Sequence, residues 1–389
     1  MEMIGMEGSH AVAEAVRLTD TDVIAAYPIT PQTHIVERLA EMVANGELDA
    51  EYIPVESEHS AMSACLGSSA AGARTFTATA GQGLELMHEV VYIASSMRLP
   101  IVMAVANRAL SAPLSVWGDH SDVMAVRDCS WIQMFAENGQ QAFDLTLCSF
   151  RMGEDPTVLF PVMVHLDGFH VSHVVEPLFL LDKNQVDKFL PPYHYPYALD
   201  PDKPATLGAF AIPVIYSEAK KSQDEAFTST KPVILQTWKE FGDISGRYYQ
   251  PVEQYRSEDA KVLLLTMGSF SETAMVAVDE LRQRGEKVGL IRLRLWRPFP
   301  FEELRQATQK AEVLIVLDRC ISFGGPPGPV CSEVKAALYS QEKRPKIVGF
   351  IGGLGGRDIS VDEFGQMVAR GQEAVARGIE EETQMIGVR

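Results

Sequence analysis

Alternation limits this chain more than any other feature. In its first half, short apolar runs repeatedly lead into longer segments of helical character. Asp22 to Tyr27 leads to an amphipathic stretch from Thr33 to Val43, and Tyr52 to Val55 leads to a stretch of small residues from Ser57 to Gly72. Arg74 to Ala78 leads to Gly83 to Met97, and Pro100 to Ala106 reads as a buried strand. A helix over Gln140 to Gly153 separates two further strands, Trp131 to Phe135 and Val158 to His165. Strands and helices alternating at this spacing predict an α/β fold, a parallel sheet covered by helices.

The pattern lapses between about Leu180 and Tyr255, where Pro191, Pro192, Pro196, Pro201 and Pro204 break any long element. This stretch reads either as an excursion that wraps a neighbouring surface or as an extended interdomain linker. Alternation resumes at Lys261. Val262 to Met267, Lys287 to Leu295, Val313 to Asp318 and Lys346 to Ile351 read as strands, and Ser269 or Ser271 can cap a helix that ends near Gly285. The expected organisation is a first domain over 1–230, proline-rich from about 180, a linker over 231–258 and a smaller α/β domain over 259–389.

With 389 residues there is room for two or three domains. A formal net charge of -18 with no block of Lys or Arg argues against nucleic acid and anionic membranes as partners. No apolar run approaches the roughly 20 residues that span a bilayer. Met1 to His10 carries no basic stretch followed by an apolar block, so no secretory signal is expected and the cytoplasm is the expected location. Cys65, Cys129, Cys148, Cys320 and Cys331 include no C-x2-C pair, so neither an iron–sulfur cluster nor a structural zinc site is expected on this chain.

In open parallel sheets, ligands bind at the carboxyl ends of the strands. Tyr27-Pro28-Ile29-Thr30-Pro31, Glu56-Ser57-Glu58-His59, Thr79-Ala80-Gly81-Gln82-Gly83 and Asn107-Arg108-Ala109-Leu110 each follow a predicted strand there. They would bring a hydroxyl, two carboxylates, glycines and a guanidinium to one crevice. Each also has a plainer reading. Thr30 can cap the next helix, Glu56 and Glu58 suit a helix N-terminus, the glycines suit turns and Arg108 suits a surface ion pair. His165, Asp167, His170 and His173 crowd together but span a turn, so no metal site is expected of them. Gly324 to Gly328 and Gly352 to Arg357 are glycine-rich without a complete dinucleotide fingerprint, and read as tight turns or close subunit contacts.

Tyr27 to Pro31, Ser57-Glu58-His59, Gly81 to Leu84, Met87-His88-Glu89, Arg98 to Val102 and Asn107 to Pro113 together resemble the alpha chains of 2-oxoacid:ferredoxin oxidoreductases. Asp119 with Asp122, Asp167-Gly168-Phe169 with His173, and Gly352 to Asp358 extend a resemblance that covers nearly the whole chain and favours the pyruvate branch.

The resemblance implies a pyrimidine-binding domain of thiamine enzymes followed by a domain like the C-terminal domain of transketolase. It implies thiamine diphosphate shared with a beta chain that holds the diphosphate through Mg2+. Iron–sulfur clusters would lie on partner chains only, with delta and gamma chains completing the assembly. Pyruvate would be decarboxylated oxidatively and reversibly, with coenzyme A taking the acetyl group and ferredoxin the electrons. 2-Oxoisovalerate is the nearest alternative substrate, and a non-catalytic scaffold subunit the alternative of another class. This chain has no G-D-G sequence for the diphosphate, which agrees with half an active site closed by a partner. By motif position Glu58 stands beside N1′ of the aminopyrimidine, with Glu56 as the competing carboxylate. Arg108 holds the substrate carboxylate through two parallel hydrogen bonds and Thr30 adds a hydroxyl. Pro28, Ile29, Gly81 and Gln82 complete the cofactor-binding set, and no metal ligand is implied on this chain.

Overall fold

The computed structural model describes residues 2–326, 328–378 and 384–388. The chain opens with β1 (Glu2–Glu7), which pairs antiparallel with β8 (Val175–Leu180) in a separate two-stranded sheet. Between them run β2 (Val23–Ala26), β3 (Glu51–Pro54), β4 (Thr75–Thr79), β5 (Val102–Asn107), β6 (Ile132–Ala136) and β7 (Val162–Asp167). These six are parallel, in the order β6-β7-β5-β4-β2-β3. Because β3 and β4 lie on opposite sides of β2, the strand order reverses there, and the carboxyl ends of β2 and β4 flank the switch point at which open α/β sheets bind ligands.

The apolar runs are continuous because the sheet is covered on both faces. Successive side chains still alternate between two cores. Ile24, Ala26, Val102, Ala104 and Ala106 face the helices Gly8–Leu18, Thr33–Ala44 and Gly139–Gly153. Ala25, Met103 and Val105 face Glu58–Ala70 and His88–Ser96.

The second sheet contains β9 (Val252–Tyr255), β10 (Val262–Thr266), β11 (Val288–Leu293), β13 (Val313–Asp318), β14 (Lys346–Ile351) and β15 (Gln384–Met385), in the order β15-β14-β13-β10-β11-β9. All are parallel except β9, which runs antiparallel to β11. The intervening strand β12 (Leu295–Arg297) leaves this sheet and pairs antiparallel with β6, adding an edge strand to the first sheet from the second half of the chain. A core on one face of this sheet, with Leu263, Leu265, Ile291 and Val316, also takes in Val123, Met124 and Phe135. The two α/β units therefore share hydrophobic contacts as well as a strand pairing.

The middle of the chain differs from its sequence reading. Helices form over Lys183–Phe189, Pro213–Thr228 and Lys231–Ser245. Pro213 and Pro232 sit in the first turn of their helices, where the missing N–H has no intrahelical partner to lose, so they start helices rather than break them. The expected linker over 231–258 is ordered: Ile234, Trp238 and Phe241 enter the first core and β9 joins the second sheet. Only Phe227 of Pro213–Thr228 is buried, so that helix lies almost wholly exposed. Among the described residues, no helix is long and apolar enough to cross a membrane.

Candidate active site

The four segments singled out from sequence follow β2, β3, β4 and β5, which are neighbours in the sheet, so all four loops open on one edge. Glu58 is the first residue of the helix Glu58–Ala70, where Ser57 caps by accepting the N–H of Ser60 at 3.2 Å. Glu58 is 6% exposed, and among the described residues its carboxylate has no hydrogen-bond partner. Glu56 is exposed instead and accepts the Ser60 hydroxyl at 2.5 Å, a bond that draws its carboxyl below the ordinary value. Burial thus separates the two candidates that spacing left open.

A close approach explains the glycine opposite. A Cβ on Gly83 would stand 2.7 Å from Glu58 Oε1 and 2.6 Å from Thr79 Oγ1, so no other residue fits beneath the carboxylate without moving it. Gly81 has a φ of +47°, a conformation that favours glycine, and a Cβ there would press on the Arg108 side chain at 3.0 Å. Between them lies Gln82, whose amide nitrogen and oxygen are both buried without a partner.

Arg108 is 8% exposed. Its Nε donates to the Ser115 carbonyl at 3.1 Å and its Nη1 to the Thr30 carbonyl at 3.1 Å. Burial lowers its pKa from the ordinary value, while Asp122 and Glu58 oppose that. With Nε and Nη1 engaged, Nη2 is the guanidinium nitrogen without a partner among the described residues. Thr30 is exposed. It does not cap the next helix, whose cap position is Gln32, and its hydroxyl has no partner among the described residues. Pro28 is exposed and Ile29 half-buried on the same turn, which Gln32 ties down by donating from Nε2 to the Ala78 carbonyl at 2.6 Å.

Asp122, which the sequence marks only as part of a motif, braces the site. Its Oδ2 accepts the N–H of Arg108 at 2.9 Å and of Gly81 at 3.0 Å, and its Oδ1 accepts Asn107 Nδ2 at 3.0 Å. Sequence reasoning also passed over Glu85, whose carboxyl burial and the neighbouring Asp122 push up to about 7. Glu85 Oε1, His88 Nε2 and Asn107 Oδ1 are further buried polar atoms without partners. Buried polar groups in native proteins are nearly always paired. Several orphans on the segment that follows β4 and at the end of β5 suit a polar ligand at that edge.

The second domain supports the loop that carries Arg108. Gly356 N donates to the Gly118 carbonyl at 2.7 Å, Gly355 N to Asp119 Oδ2 at 3.1 Å and His120 N to the Arg319 carbonyl at 2.9 Å. A Cβ on Gly356 would stand 2.3 Å from Trp117 Cβ, so this glycine-rich segment is a tight turn at a contact within the chain. The histidine-rich stretch is split. Asp167 Oδ1 pairs with His120 Nε2 at 2.9 Å and Arg319 Nη1 at 2.5 Å, and His170 Nε2 pairs with Asp358 at 2.9 Å. His165 is buried, which pushes it down to about 3, and His173 turns away toward His34.

An unpaired buried carboxylate, an unpaired buried amide and a glycine-floored cradle fit the pyrimidine half of thiamine diphosphate. Both halves of the chain match family models. Residues 14–239 match the model described as pyruvate flavodoxin/ferredoxin oxidoreductase, thiamine diphosphate-binding, and residues 260–364 match pyruvate:ferredoxin oxidoreductase core domain II. Pyruvate synthase subunit PorA of Pyrococcus abyssi is 47% identical over 99% of this chain and 98% of its own length. The ketoisovalerate oxidoreductase subunit VorA of the same organism is 45% identical over 92% and 90%.

Among solved structures, the 2-oxoglutarate:ferredoxin oxidoreductase of Magnetococcus marinus superposes with a TM-score of 0.72 at 19% identity. That alignment covers 96% of this chain and 65% of the solved one, so this chain spans about two thirds of its length. A split-gene transketolase, solved as an inactive tetramer, superposes at 0.56 with 12% identity over 97% and 100%. At such identities these two likenesses establish the fold alone. With family models matched in both halves and relatives nearly half identical along its length, this chain belongs to the pyruvate flavodoxin/ferredoxin oxidoreductase family.

Proposed function

We propose that this chain is the alpha subunit of a pyruvate synthase, supplying the pyrimidine-binding half of a thiamine diphosphate site closed by a beta chain. The observation that carries this reading is the pairing of near full-length similarity to PorA with a buried, unpartnered Glu58 beside Arg108 and Thr30 on one sheet edge. When bound, thiamine diphosphate supplies a nucleophilic carbon and an electron sink. Glu58 would hold the pyrimidine edge through its carboxylate, and its burial would keep water from competing there. Gln82 would offer its unpaired amide to the same ring, with Pro28 and Ile29 on the turn beside it. Arg108 orients the carboxylate of pyruvate through Nη2, and the Thr30 hydroxyl donates to the substrate. Asp122 and Gly81 hold the Arg108 loop in register for that task.

The five cysteines are free, buried and divided among three hydrophobic cores, which supports placing the iron–sulfur clusters on partner chains. The beta chain holds Mg2+ and the diphosphate. Gamma and delta chains complete the complex, coenzyme A takes the acetyl group, and ferredoxin carries the electrons away in the cytoplasm.

The test uses the intact complex purified without oxygen, following viologen reduction with thiamine diphosphate and coenzyme A. Rapid reduction with pyruvate, little with 2-oxoglutarate, and loss in Glu58→Gln support the reading. A preference for 2-oxoisovalerate would move the assignment toward the VorA-like branch, which 45% identity keeps close. Absence of thiamine-dependent reduction with every acid would leave a scaffold role.

A further inference from the structure

His173 leaves the network around Asp167 and meets His34 and Glu7. One ring nitrogen of each histidine and one carboxylate oxygen of Glu7 lie within 4.8 Å of one another, and all three residues are partly buried. They come from separate elements: Glu7 ends β1, His34 lies in the first turn of Thr33–Ala44, and His173 lies in the loop from β7 to β8. Among the described residues no Lys or Arg pairs with Glu7, whose carboxylate meets only His34 Nδ1, at 2.7 Å. The His34 and His173 rings stand 4.4 Å apart between centroids, and a third imidazole, His10, stands 6.2 Å from His34.

We propose that Glu7, His34 and His173 bind a divalent transition-metal ion of the zinc type. Two imidazoles and a carboxylate suit Zn2+ and its first-row neighbours, whereas Mg2+ and Ca2+ prefer oxygen donors. The surroundings orient one ligand. His173 Nδ1 lies 2.7 Å from Ser172 Oγ, which also accepts the Phe169 N–H at 2.8 Å. A hydroxyl oxygen can accept from both, which leaves Nε2 of His173 as the free donor, as partners behind metal-bound histidines commonly do. The ion takes the place of the proton that His34 and Glu7 share. Partial exposure provides an entry path and leaves a coordination position for water.

The site borders the turn that carries Thr30. His34 follows the Thr30 turn directly, and the loop that carries His173 touches the same turn, since a Cβ on Gly168 would stand 2.7 Å from Pro31 Cγ. A bound ion therefore ties β1, the Thr30 turn and the β7–β8 loop together. Its role is structural and independent of the substrate assigned to Arg108 and Thr30.

The test is titration of the full chain with Zn2+ and Co2+, with Mg2+ as control. The expected result is one tightly held Zn2+ or Co2+ per chain, visible bands from bound Co2+, and an unfolding midpoint raised by a few degrees. Glu7→Gln and His173→Asn each weaken uptake about 100-fold. Cu2+ electron paramagnetic resonance on the unmodified chain counts coordinated nitrogens and needs no variant to fold; at least two are expected. Absence of stoichiometric uptake, uptake unchanged in both variants, or fewer than two nitrogens would each overturn the proposal and leave a hydrogen-bonded histidine cluster.

Discussion

The backbone N–H of Arg108 donates to Asp122 Oδ2 at 2.9 Å, and the N–H of Gly81 donates to the same oxygen at 3.0 Å. One buried carboxylate thus clamps the loops after β4 and β5 together and sets where the guanidinium begins. Replacing Asp122 by Ala strands these donors, together with Val123 N and Asn107 Nδ2. The expected cost is about 3 kcal/mol of stability, read by urea denaturation. Asp122→Asn keeps the volume but turns an NH2 toward donors. In the reconstituted complex it lowers kcat/KM for pyruvate by about 100-fold through misplacement of Arg108.

Gly83→Ala tests the floor under Glu58. The added methyl would sit 2.7 Å from Glu58 Oε1, so the carboxylate moves while the helix it starts stays in place. The expected outcome is about 1–3 kcal/mol of lost stability and a fall in kcat that approaches that of Glu58→Gln, about 10²–10⁴-fold. Steady-state viologen reduction beside a circular dichroism melt separates the two effects. Wild-type turnover in Gly83→Ala would sink the role given to Glu58.

Glu85 provides a pH dependence. Burial, with Asp122 adding to it, pushes its carboxyl from 4.5 up to about 7, so the folded chain holds a proton that the unfolded chain has released. Its contribution therefore favours folding below about pH 4.5 and is lost progressively as pH rises to about 7. A gap of this size is worth at most about 3 kcal/mol, and solvent screening of a partly exposed group reduces it to about 1 kcal/mol. Denaturation of wild type and Glu85→Gln at pH 5 and pH 8 should show the wild type losing that amount relative to the variant. Parallel curves would contradict the assignment.

Asp167 has the opposite sign. Burial alone would raise its carboxyl, but the Arg319 guanidinium and His120 hold it well below the ordinary 3.8. Its stabilisation is present above that value and is lost as pH falls below it. Ser269 N and Oγ also donate to Asp167, at 2.7 and 2.6 Å, so this carboxylate joins the two halves of the chain. Asp167→Asn should cost about 3–5 kcal/mol at pH 7, because it leaves Arg319 buried without its counter-charge. Limited proteolysis should then cut between the halves sooner than in wild type.

Local pattern alone determined the alternation of strands and helices, because burial on both faces of a parallel sheet imposes continuous apolar runs. It also indicated the edge on which Thr30, Glu58, Gly81, Gln82 and Arg108 meet, since strand ends are legible wherever apolar runs stop. Tertiary structure decided what depends on contacts between distant segments. It buried Glu58 and left Glu56 in water, which spacing two residues apart could not separate. It turned the Ser269 hydroxyl from a helix cap to Asp167, 102 residues away, and sent β12 back to the first sheet. It ordered 231–245 as a helix because Ile234, Trp238 and Phe241 found a core there, although its proline and weak period read as a linker. It also divided the crowded histidines, sending His165 into the core and His173 to Glu7 and His34. Sequence proximity places residues on one loop, but only packing decides which way each side chain leaves it.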